Sequence, residues 1–90
     1  MRIEFTTHGW EDFCYWLDTD AAKADRIREL IKDIKRDPFK GLGKPEALKY
    51  DLAGCWSRRI DNEHRLVYVV SGAPAERKVT VLMCRYHYDQ

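Results

Sequence analysis

Residues 55–70 read Cys55-Trp56-Ser57-Arg58-Arg59-Ile60-Asp61-Asn62-Glu63-His64-Arg65-Leu66-Val67-Tyr68-Val69-Val70. The period is two: Trp56, Arg58 and Ile60 alternate with Cys55, Ser57 and Arg59, and the run from Arg65 to Val70 is rich in β-branched and aromatic side chains. Two strands are expected, joined by a turn at residues 61–64. Ser71-Gly72-Ala73-Pro74-Ala75 breaks the second, and Val79, Val81 and Met83 predict a last strand from Lys78 to Tyr86. Upstream the period becomes helical. Trp10, Phe13, Cys14 and Leu17 fall at i, i+3, i+4 and i+7, a stripe expected to face the core, with Thr6 or Thr7 as cap and Glu11, Asp12 and Asp18 on the other side. Asp20 caps a second helix in which Ala24, Ile27, Leu30, Ile31 and Ile34 repeat until Asp37-Pro38 stops it. Ile3 and Phe5 alternate with Arg2 and Glu4 as a short first strand. The order β-α-α-β-β-β predicts an α+β fold: an antiparallel sheet of about four strands with two N-terminal helices packed on one face, in one domain spanning 1–90.

With 90 residues, 44% hydrophobic and 34% charged, the chain is too short for two cores and too apolar to stay unstructured. No apolar run approaches the ~18–20 residues of a membrane span, and the N-terminus lacks the apolar core of a signal peptide, so a cytoplasmic protein is expected. Cys14, Cys55 and Cys84 are odd in number and far apart, which favours buried free thiols over a metal site.

The net charge of +1 conceals a pattern. Residues 1–34 carry five basic against eight acidic side chains, and residues 35–65 carry eight against five. The basic stretch interleaves Lys40, Lys44, Lys49, Arg58, Arg59 and Arg65 with Phe39, Tyr50 and Trp56, a mixture suited to phosphates and stacked bases and equally to a solvated charged face. If the helices cover one face of the sheet, arginines projecting from the other make it a seat for RNA. Pro38–Pro45 is a loop whose Gly41-x-Gly43 lacks the Lys-Ser/Thr ending of a phosphate-binding loop, which argues against nucleotide binding by that motif.

Ser57-Arg58-Arg59-Ile60, Glu63-His64-Arg65-Leu66-Val67-Tyr68 and Cys84-Arg85-Tyr86-His87-Tyr88 closely resemble the YoeB/Txe family of bacterial toxins. Gly43-Lys44-Pro45-Glu46-x-Leu48-Lys49, Tyr15-Trp16, Ile31-Lys32-Asp33 and Pro38-Phe39 extend the likeness over nearly the whole chain. The resemblance implies a RelE-like fold and a ribosome-dependent endoribonuclease that cuts messenger RNA in the decoding site. It also implies neutralisation by a cognate antitoxin of the YefM/Phd type, a possible homodimer, no membrane partner, and neither metal nor other cofactor. Matched residue by residue, Glu46 is the expected general base, His87 the general acid and Arg65 the stabiliser of the crowded phosphate, with Lys49, Arg59 and Tyr88 positioning the substrate.

These residue types suit the chemistry. Cleavage by the neighbouring 2′-OH needs a base, an acid for the leaving 5′-oxygen and lasting positive charge, and a guanidinium supplies the last in a planar fork. Glu46 as a base calls for a dry setting or a partner that moves its pKa toward neutrality. His64, in the turn, suits a structural or substrate-facing role better than that of an acid, and for Arg58 and Arg59 salt bridging on a solvated strand is an equal account. A non-catalytic binding module of the same fold, acting by occupancy of the ribosome or of DNA gyrase, is the rival reading. Two departures stand out against the family's pattern: residues 71–78 are longer than the usual turn, and Asp89 and Gln90 follow Tyr88.

Overall fold

The computed structural model describes residues 1–87. Its elements are β1 (Arg2–Phe5), α1 (Thr7–Thr19), α2 (Ala21–Arg36), β2 (Glu46–Ala47), β3 (Cys55–Arg59), β4 (Arg65–Ser71) and β5 (Lys78–Met83), with single 3-10 turns at Tyr50–Leu52 and Pro74–Glu76. The α+β class and the pair of helices on one face are as expected. The sheet has five strands in the order β1-β5-β4-β3-β2, and it is mixed, because β1 lies parallel to β5. Two residues of β2 after Pro45 carry no readable period. The parallel pairing arises because β3 and β5 already flank β4, so the chain that returns from β1 through both helices leaves β1 on the free edge of β5.

α2 forms as read. Asp20 accepts hydrogen bonds from the N–H groups of Ala22 and Lys23 at 3.1 and 3.3 Å, and Asp37 ends the helix ahead of Pro38. Ala24, Ile27, Leu30 and Ile34 are buried against Leu66, Tyr68, Val79 and Val81, with Ile31 half-buried beside them. Burial of each large side chain contributes about 1.5–3 kcal/mol.

α1 is rotated from the expected setting. Trp10 and Leu17 are exposed and Phe13 and Cys14 half-buried, whereas Gly9, Asp12 and Trp16 face inward. The cause is close approach to β5: a Cβ on Gly9 would lie 2.5 Å from the Val81 carbonyl oxygen, so only glycine fits. One and two turns on, Asp12 accepts from Cys84 N–H at 3.0 Å and Trp16 Nε1 donates to Cys84 O at 2.8 Å. Those bonds also end β5 at Met83, short of the expected Tyr86, because the backbone of Cys84 is turned to α1 and away from the sheet. Among the cysteines only Cys84 is fully buried, and burial pushes its thiol up to about 12; Cys14 and Cys55 are half-buried, and all three are free.

Arg58 does not project to the open face. It shares the core face with Trp56 and Ile60, as its place in the alternation requires, and is 0% exposed. Its Nε donates to Tyr68 Oη at 3.1 Å, its Nη1 to Asp33 Oδ2 at 2.6 Å and Leu42 O at 3.2 Å, and its Nη2 to the carbonyls of Asp37 at 2.6 Å and Lys40 at 3.1 Å. All five guanidinium donors are thereby used. Tyr68 Oη donates onward to Pro38 O at 2.6 Å, and Leu42 N–H returns to Asp33 at 2.8 Å. The Arg36 guanidinium at 3.0 Å, then Leu42 N–H and Arg58, hold the Asp33 carboxyl well below the usual carboxylate range. The loop from Pro38 to Pro45 is thus wrapped round one buried cation, and it delivers the chain to Glu46.

Candidate active site

Strand alternation assigns Cys55, Ser57 and Arg59 of β3, and Arg65, Val67 and Val69 of β4, to the face away from the helices. Glu46 pairs with Ser57, Ser57 with Val67, and Val67 with Met83, so one row crosses four strands. Arg59 pairs with Arg65 in the next row on this face. Glu46 and Arg59 are exposed and Arg65 is half-buried, while Ser57 and Val67, each 2% exposed, form a covered floor between them. From a strand spacing of about 4.8 Å and a rise of about 3.3 Å per residue, the Cα of Glu46 lies about 8 Å from that of Arg59 and about 12 Å from that of Arg65.

The turn that presents Arg65 is prebuilt. Asp61 accepts from the N–H groups of Glu63 at 2.8 Å and His64 at 2.6 Å, and pairs with Lys23 Nζ at 2.8 Å. Burial alone would raise this carboxyl, but Lys23 and the two N–H groups outweigh it and bring it down to about 2. Arg65 Nη1 donates to the carbonyls of Asp61 at 2.7 Å and His64 at 3.1 Å. The plane of the guanidinium is thereby fixed, and its Nε and Nη2 make no hydrogen bond among the described residues.

The segment after β5 returns to the same end of β4. Arg65 N–H donates to Tyr86 O at 2.8 Å, and Tyr86 N–H donates to His64 Nδ1 at 2.6 Å. With Cys84 held by Asp12 and Trp16, the chain is anchored on both sides of Arg85, whose guanidinium stacks 3.5 Å from the Tyr15 ring centroid. His87 follows Tyr86 directly and is exposed. Lys49 is exposed just beyond β2. Tyr88 lies outside the described residues. Sequence reasoning missed the floor of Ser57 and Val67 and the roles of Asp12 and Trp16; the floor was present in the alternation of β3 and β4, whereas the bonds to Cys84 join positions about seventy residues apart and left no local signal.

The fold and site define a class, a small α+β domain whose sheet face away from the helices carries a carboxylate and an anchored arginine on either side of a covered floor, and comparison with known proteins supplies the family. The family model described as the YoeB-like toxin of bacterial type II toxin-antitoxin systems matches residues 5–88. Toxin YoeB of Streptomyces coelicolor is 56% identical over 88 residues, covering 98% of this chain and 100% of that protein. A YoeB/ParE toxin from Agrobacterium tumefaciens, 50% identical, superposes with a TM-score of 0.94 over 98% of this chain and 100% of its own. YoeB in a heterotetrameric YoeB-YefM toxin-antitoxin complex from Staphylococcus aureus is 40% identical, with a TM-score of 0.86 over 98% of each chain. The chain belongs to the YoeB-like toxins of bacterial type II toxin-antitoxin systems.

Proposed function

We propose that this toxin is a ribosome-dependent endoribonuclease that cleaves messenger RNA in the decoding site by acid–base transesterification. The observation that carries the reading is the common end of one sheet face shared by Glu46, Arg59, the anchored Arg65 and the pinned segment leading to His87. Glu46 takes the proton of the 2′-OH as that oxygen bonds to phosphorus. His87 gives a proton to the departing 5′-oxygen as the P–O5′ bond breaks. The products are a 2′,3′-cyclic phosphate and a 5′-OH, and the cyclic ester opens to a 3′-phosphate if water follows.

Arg65 meets the charge that builds on the pentavalent phosphorus with a fork whose orientation costs nothing at the moment of reaction, since Nη1 is already tied down. Lys49 and Arg59 hold flanking phosphates, and Tyr88 stacks on a base beside the cut. A side chain at each rim of a gap of about 12 Å brackets one phosphate and its ribose. Glu46 is exposed in the chain alone, so the ribosome and message supply the dry surroundings a carboxylate base needs; this accounts for a requirement for presentation. An antitoxin similar to YefM neutralises the toxin by laying an acidic segment over Arg59 and Arg65 and closing the face to RNA.

The test is to incubate the purified chain with bacterial ribosomes carrying a defined message and to map cut sites and end groups, with Glu46→Ala and His87→Ala alongside. Cleavage in the decoding site with cyclic or 3′-phosphate ends, lost in both variants, is expected. An intact message despite blocked translation would replace the reading with inhibition by occupancy.

A further inference from the structure

The proposed reaction leaves two imidazoles without a task, and of these His8 is exposed and His64 is buried. His64 is 9% exposed, with Trp16 edge-on at 4.8 Å between ring centroids and Tyr86 at 5.9 Å. Its Nδ1 accepts the Tyr86 N–H at 2.6 Å, which requires a lone pair on that nitrogen. The ring proton therefore sits on Nε2, which faces Glu63 Oε1 at 3.5 Å. Tyr86 has φ +66°, in the left-handed region that side chains rarely adopt. Its backbone is held from both sides, by His64 at the N–H and by Arg65 N–H at the carbonyl. The direction in which the chain enters His87 is thus set by a strained residue, and one imidazole lone pair supports it.

We infer that His64 is a positioning residue for His87: neutral Nδ1 keeps the terminal segment in its competent conformation, and protonation of His64 releases it. The inference rests on the reading of His87 as general acid. Protonation would set one N–H against another across 2.6 Å. The groups around the ring are Asp61 and Glu63 in its own turn, Arg65 at the start of β4, Lys23 of α2 bound to Asp61, Tyr15 and Trp16 of α1 with Asp12 one turn earlier, and Arg85 and Tyr86 of the terminal segment.

Three substitutions separate this role from simple filling of space. Asparagine sets Oδ1 near the place of Nδ1 and cannot be protonated; glutamine carries its acceptor out toward the place of Nε2; alanine has none. Hydrogen exchange at the Tyr86 amide, followed by NMR on the full chain, is expected to speed up at least about tenfold in His64→Ala and His64→Gln and to stay slow in His64→Asn. On ribosome-presented message kcat is expected to fall by about 10- to 100-fold in the alanine and glutamine variants, with KM changed less than about twofold. His64→Asn retains most of kcat, and its Tyr86 amide keeps its protection factor as pH is lowered, whereas that of the unsubstituted chain falls. Should the alanine variant fail to fold, the asparagine and glutamine pair carries the comparison. A Tyr86 amide equally protected in the asparagine and glutamine variants, or one whose protection falls with pH alike in His64→Asn and the unsubstituted chain, overturns the inference. Failure of the unsubstituted chain to cut presented message overturns the reading of His87 instead, while Tyr86 exchange still reports on His64.

Discussion

Replacing Arg58 by methionine keeps an unbranched apolar stem and removes the guanidinium with its charge and all five donors. The Asp33 carboxylate loses its 2.6 Å partner, and the carbonyls of Asp37, Lys40 and Leu42 lose theirs, at a side chain that is 0% exposed. Removing one member of a buried ion pair costs about 3–5 kcal/mol. A 90-residue domain has roughly 5–13 kcal/mol of stability in all, and each kcal/mol moves Tm by about 4–8 °C. A fall in Tm of about 12–40 °C is expected, read by near-ultraviolet circular dichroism of the tryptophans and repeated by urea titration with an unchanged m-value. Because the loop wrapped round Arg58 delivers Glu46, the folded fraction should also cleave presented message with a lower kcat. A loss below about 1 kcal/mol would refute the reasoning, since it would mean that water or repacking satisfies the loop without the guanidinium.

Acid should unfold the protein through two carboxylates. Asp33 and Asp61 have folded pKa values below their unfolded ones, so their contribution is present above about pH 4 and is lost as pH falls toward and through the folded values. For Asp61, held at about 2, the contribution is about 2 kcal/mol, and Lys23→Met should move the midpoint of acid unfolding upward; an unmoved midpoint would contradict this. Gly9→Ala should cost about 1–3 kcal/mol by forcing α1 off β5, and a melt within a degree of the parent would show that the helix shifts freely. Lys49→Ala and Arg59→Ala should raise KM for presented message more than they lower kcat, and should flatten its salt dependence; an effect confined to kcat would place them with the reacting atoms instead.

How far the fold could be read from the chain varied with the range of the interactions involved. α2 was legible because its cap, its apolar repeat and its stop are all local: Asp20, Ile27 through Ile34, and Asp37-Pro38. α1 was misread because its orientation is decided at Val81 and Cys84, where a missing Cβ at Gly9 and two polar side chains, Asp12 and Trp16, outweigh an apolar stripe. The alternation around Trp56 already put Arg58 on the core face, yet the reason a cation is tolerated there is spread over Asp33, Asp37, Lys40, Leu42 and Tyr68. Pairing of β1 with β5 depends on topology, which no period of four residues encodes. Glu46, Arg65 and His87 were named by family likeness; without it a loop carboxylate and a terminal histidine carry no distinguishing pattern. The structure adds their settings: β2 is hydrogen-bonded to β3 beside a covered floor, and the chain before His87 is pinned by His64 and Arg65.

The division of labour between Glu46 and His87 is most directly tested on a ribosome-bound message whose cut site carries a single 5′-bridging sulfur in place of oxygen. A thiolate leaves without a proton, so the need for an acid is removed while the need for a base remains. The account predicts that His87→Ala, inactive on the normal message, cleaves the sulfur-containing one at nearly the rate of the unsubstituted chain, whereas Glu46→Ala stays inactive on both. Equal rescue of the two variants, or rescue of neither, would contradict it.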